Sequence, residues 1–193
     1  MGRTVKKITS VLVVILIIAI LAGLFYLDII KKSGKKKEET DKTLTEAGKL
    51  LERDLTTNYP ETPRELAKYY SNITKVLFSG LEDDEVEALA KKILELYDEE
   101  FLANNPEDKY LKDLYSEIAA WNSAGRKITN FLIVNEDEQE RWEQDGREYA
   151  NIFVSYYTLD NRKSYQTRNY LMRKDEEGDW KILGWKYVIE EAE

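Results

Sequence analysis

Between Ile8 and Leu27 the chain runs 20 residues without a charge, and from Val11 to Ala22 every position is Val, Leu, Ile or Ala. A helix of that length reaches about 30 Å, the thickness of a bilayer hydrocarbon core. Residues 8–30 are therefore expected to cross a membrane, with the lipid bilayer as their partner. Phe25 and Tyr26 suit an interfacial aromatic belt, and Lys6, Lys7, Lys31 and Lys32 bracket the run as headgroup anchors. The competing reading is a cleaved signal peptide. Its apolar region normally spans about 7 to 15 residues and ends in a small-x-small site. Here the run is longer, and Ile20-Leu21-Ala22 lacks the first small residue. Ala19 and Gly23 form a small-xxx-small pair, a common spacing that by itself implies little about helix pairing.

Beyond residue 37 the pattern is amphipathic. Leu44, Ala47, Leu51 and Leu55 recur at helical spacing in a narrow stripe, which reads as a helical stalk over residues 31–58 together with its basic flank. Tyr59 precedes a proline and is pushed out of the helical region, which ends the stalk. A helix then starts at Thr62-Pro63-Arg64-Glu65, where Thr62 caps, Pro63 fills the first turn and Glu65 completes a capping box. Its buried face is Leu66, Tyr69, Tyr70, Ile73 and Leu77. A second helix opens with four carboxylates, Glu82 to Glu85, and its stripe runs from Val86 to Phe101. A third is expected to be capped by Asn105 and to bury Leu111, Leu114, Tyr115, Ile118 and Trp121.

After Gly125 the period changes from 3.6 to 2. Strands are expected over 127–134, 141–144, 147–159, 164–173 and 180–189, with turns at Asp145-Gly146, Asp160 to Lys163 and Glu176 to Asp179. Three helices followed by an antiparallel meander is an α+β pattern, with the helices on one face of a curved sheet of four to five strands.

Charge divides the chain. Residues 1–37 carry eight basic side chains and one acidic one, a net +7, which leaves −15 on the remaining 156 residues out of an overall −8. So acidic a domain repels phosphate backbones, and no nucleic-acid partner is expected. Lys31 to Lys37 read as a stop-transfer flank, each lysine gaining about 1 kcal/mol beside anionic headgroups. Lysines stand on both sides of the apolar run, so the charge rule leaves its orientation open. With no histidine and no cysteine, the chain has no imidazole base, thiolate nucleophile, His-ligated zinc or disulfide. The acidic clusters lack the alternating spacing of a calcium loop, and a helix start and a hairpin turn account for both. No metal and no cofactor are implied.

These features together carry a resemblance. Helices followed by long Tyr- and Trp-rich strands, ending in Gly178-Asp179-Trp180-Lys181-Ile182-Leu183-Gly184-Trp185-Lys186, resemble the nuclear transport factor 2-like, cystatin-like cone. More closely, Asn58-Tyr59-Pro60 through Glu65, Leu102-Ala103-Asn104-Asn105-Pro106 and Trp180 to Lys186 are similar to a family of membrane-anchored proteins of Gram-positive bacteria with no assigned function. The similarity covers roughly residues 45–190. It implies a cone domain over residues 59–193 and a single amino-terminal anchor that holds it outside the cell, in the cell membrane.

The cone fold usually encloses a pocket between sheet and helices. Tyr70, Trp121, Tyr156 and Trp185 are candidates to line it, against the commoner reading that aromatics at core spacing are core. Arg168 shares strand parity with Tyr170 and Met172. If that face is the inner one it reaches the pocket mouth and can bind an anion; otherwise it is solvated. A carboxylate base with a tyrosine donor, of the isomerase or hydratase type, is the enzymatic alternative. Yet no Asp or Glu sits in an apolar strand interior where burial would tune it. The sequence therefore favours a non-catalytic domain that binds a small ligand or an envelope protein. A spacer or assembly module is a third reading, marked by exposed apolar surface and self-association.

Overall fold

The computed structural model describes residues 45–134 and 140–188. The expected membrane helix over residues 8–30, its basic flank, the first part of the stalk and the end of the last expected strand lie outside them. Among the described residues no helix is long and apolar enough to cross a membrane. The helices are α1 (Glu46–Leu51), α2 (Pro63–Leu77), α3 (Asp83–Leu94), α4 (Glu99–Asn104) and α5 (Glu107–Ser123). The strands are β1 (Lys127–Ile133), β2 (Arg141–Gln144), β3 (Arg147–Leu159), β4 (Lys163–Lys174) and β5 (Trp180–Tyr187). The class is α+β, with one five-stranded antiparallel sheet.

The helix count exceeds the three expected, for local reasons. Ala47 and Leu55 are buried in the same core as Leu66 and Ile73, and residues 45–58 belong to the same compact unit as the rest of the described chain. The carboxyl-terminal part of the expected stalk is therefore domain. The second expected helix stops at Leu94. Leu96 and Asp98 instead bond along β5, with Asp98 N–H donating to the Ile182 carbonyl and Ile182 N–H to that of Leu96, both at 2.9 Å. Asp98 then caps α4, its carboxylate accepting the Glu100 N–H at 2.9 Å. Asn105 does not cap α5, since its amide donates back to the Phe101 carbonyl.

Helix α2 is the central element. Thr62 accepts the Glu65 N–H at 3.1 Å, as its sequence predicts, while the Glu65 carboxylate reaches the Glu61 N–H, one residue earlier than in a capping box. Leu66, Tyr69, Tyr70, Ile73 and Leu77 are all buried. The Asp145-Gly146 turn has both residues at positive φ, the type I′ geometry that matches strand twist. It joins β2 to β3. β1 and β2 share one margin of β3, β4 lies along the other, and β5 lies beyond β4. Along β3 the even residues Ala150, Ile152, Val154 and Tyr156 are buried beneath the helices, and the odd ones face away.

Candidate functional site

Strand alternation settles the face of Arg168. Tyr170 and Met172 are buried, and β3–β4 pairing sets Ile152 against Tyr170 and Val154 against Arg168. Arg168 therefore stands on the helix-facing side, the inner one. Its guanidinium carbon lies 5.2 Å from the Tyr156 ring centroid and 5.4 Å from that of Tyr187. Tyr187 is 51% exposed, so the stack runs from the core to the surface. No carboxylate pairs with Arg168 among the described residues.

Below the guanidinium the tyrosines interlock. The hydroxyls of Tyr156 and Tyr170 are 2.9 Å apart, Ser71 Oγ is 2.8 Å from the Tyr156 hydroxyl, and those of Tyr70 and Tyr97 are 3.2 Å apart. The Tyr70 and Tyr170 rings meet edge to face at 5.3 Å. Burial pushes the Tyr156 phenol up to about 12, and raises Tyr70, Tyr97 and Tyr170 as well. These phenols stay protonated throughout the physiological range, so they donate and accept hydrogen bonds but do not serve as bases. Glu117 acts on Tyr70 and Tyr110 only through space. Its side chain is exposed and makes no hydrogen bond to either.

The sequence candidates divide accordingly. Tyr70, Tyr156 and Arg168 come together, with the Trp185 ring 6.2 Å from that of Tyr170. Trp121 lies apart. It packs on Phe78 at 4.5 Å, carries the Arg126 guanidinium over its ring, and lines an open cavity of about 480 Å³ with Thr158, Ser164 and Thr167. Tyr70 and Tyr156 are buried in the core, and the solvent-facing part of the cluster is its rim at half-buried Arg168 and exposed Tyr187.

Two elements escaped the sequence reading. Ser71, small and polar on the buried face of α2, completes the tyrosine network. Its helical position beside Tyr70 was the available signal. The other is a buried ion pair between Asp98 and Arg173, whose guanidinium holds both Asp98 oxygens, at 3.0 and 2.5 Å. The Asp98 side chain is 2% exposed. Hydrogen bonding to Asp98 raises the Arg173 pKa above its ordinary value. This carboxylate is engaged in structure, capping α4 and binding Arg173.

No curated protein matches the chain. The sequence profile described as Domain of unknown function (DUF6715) matches residues 1–185, and the chain belongs to that family.

Proposed function

We propose that this chain is a single-pass membrane protein, anchored through residues 8–30, whose cone-like domain stands outside the cell as a non-catalytic binding module. Its ligand is a small molecule or envelope protein that presents an anionic group to Arg168. One observation carries the binding reading. Arg168 is a permanently charged fork, partly desolvated between two aromatic rings and left without a carboxylate partner among the described residues. A guanidinium so placed binds a carboxylate or phosphate bidentately at little reorganisation cost. The anchor reading is supported by the uncharged 20-residue run, which the family match includes because it begins at residue 1.

The enzymatic alternative has less support, since Asp98, the one buried carboxylate among the described residues, is bound to Arg173 and the buried phenols are held protonated. The binding reading is tested by thermal unfolding of the purified chain with inorganic phosphate, glycerol phosphate and citrate as probes. At least one is expected to raise the midpoint, and Arg168→Gln to abolish the rise while Arg168→Lys keeps part of it. An equal rise in Arg168→Gln overturns the reading.

A further inference from the structure

Away from the end where Arg173 is bound by Asp98 and Glu100, the sheet face turned from the helices is covered by no described element and is unlike an ordinary solvated surface. β3 contributes Asn151, Phe153, Ser155 and Tyr157 to it, and β4 contributes Tyr165, Thr167, Asn169 and Leu171, paired across the two strands. Leu132, Tyr157 and Tyr165, three of the four large hydrophobic side chains most exposed among the described residues, stand here at 56%, 38% and 53%. Surface this apolar on a sheet face marks an interaction site. Two concavities of about 660 and 310 Å³ adjoin across the face and share Asn151, Asn169 and Lys186. Asn169 is 7% exposed, and its side-chain oxygen is buried without a hydrogen-bond partner.

The charges identify that molecule. The centre of the face carries none. At the β2 margin Glu140 bonds to Asn151 through both main chain and side chain. At the β5 margin Lys186 pairs in register with Asn169, which pairs with Phe153. An acid and a base thus stand on opposite margins at nearly the same height along the strands. Neither makes an ion pair among the described residues.

We propose that two copies of the chain pack back to back through this face, about a two-fold axis running along the strands between β3 and β4. That operation lays the β2 margin of one copy over the β5 margin of the other. It sets Glu140 opposite Lys186 twice and β3 over β4, so that Phe153 comes over the Asn169 row and Ser155 over Thr167. Aligned sheets packing face to face bury such half-apolar rows between them. An isologous contact requires a surface complementary to itself, which opposite charges on opposite margins supply. The inference is independent of the anion reading at Arg168, which lies on the other side of the sheet.

The test uses the full chain in its membrane. Because the chain has no cysteine, Thr167→Cys, close to the axis, and Lys112→Cys, exposed on α5, can each be treated with a short bismaleimide. Thr167→Cys is expected to give a covalent dimer and Lys112→Cys none. In the Thr167→Cys background, Glu140→Lys or Lys186→Glu alone brings like charges together at both contacts and should cut the yield about tenfold. Co-expressing the two reversed chains, distinguished by size tags, restores both contacts and should return the yield in the mixed dimer. That rescue excludes misfolding as the cause of the loss. Equal yields at both cysteines, insensitivity to the reversals, failure of the mixed pair, or a product joined to a different protein would each overturn the proposal.

Discussion

Removing one side of the Asp98–Arg173 pair gives the sharpest test of how the domain is held together. In Arg173→Met the aliphatic stem is largely preserved, but Asp98, 2% exposed, loses the guanidinium that held both its oxygens. A buried charge stripped of its partner costs about 3–5 kcal/mol, a large part of the roughly 5–15 kcal/mol that stabilises a domain. The contact from Arg173 to Glu100 adds little, because Glu100 is 63% exposed. Urea titration followed by tryptophan fluorescence should therefore show a loss of about 4 kcal/mol, on the order of 10 °C in Tm. Glu100→Gln should cost under about 1 kcal/mol. The double variant Asp98→Asn with Arg173→Met keeps an oxygen for the α4 cap and removes the charge, so it should recover more than half of the loss. A cost below about 1 kcal/mol for Arg173→Met, or a double variant no better than the single, would refute the argument.

Tyr156→Phe takes a partner from the hydroxyls of Ser71 and Tyr170, both buried, and is expected to lower stability by about 1–3 kcal/mol in the same titration. Replacing Ser71 by Ala in that background should cost almost nothing further. The tyrosines also fix the alkaline response. Tyr156 is raised from 10.0 to about 12 in the fold, so the unfolded chain releases its proton first as pH rises. The network's contribution is full below about pH 10 and is lost between there and about pH 12. Phenolate absorbance from Tyr156 and its buried neighbours should appear together with unfolding, and ionisation of all 13 tyrosines near pH 10 without unfolding would contradict this. Placement outside the cell predicts that Glu177→Cys, in the exposed turn before β5, reacts with an impermeant thiol reagent on intact cells. Reaction only after lysis would place the domain inside.

Much of the fold was legible because it rests on short-range rules. The Thr62–Pro63 start, the Asp145-Gly146 turn and the period-two run of β3 each declare themselves within a few residues. The break after Leu94 did not. Residues 95–98 have helical composition, and only β5, some eighty residues downstream, draws Leu96 and Asp98 out of the helix. Local propensity yields there to a tertiary contact. At the site, parity grouped Arg168 with Tyr170 and Met172, but the sequence could not choose their face. Burial of Tyr170 and Met172 chose it. Trp121 shared the core spacing of α5 with Leu114 and Ile118, yet the helix turns it toward Phe78 and away from the tyrosines. Asp98 and Arg173 lie 75 residues apart, beyond any local pattern.

The short stretch between α3 and α4 does more than reverse direction. By lying against β5 it takes up both main-chain groups of Ile182, and the Tyr59 hydroxyl takes the neighbouring Trp180 carbonyl at 3.0 Å. A stray strand arriving at that border finds its docking groups already occupied, so edge-to-edge addition of one sheet to another is blocked there. For molecules concentrated at a surface, such a border separates orderly contact from runaway polymerisation.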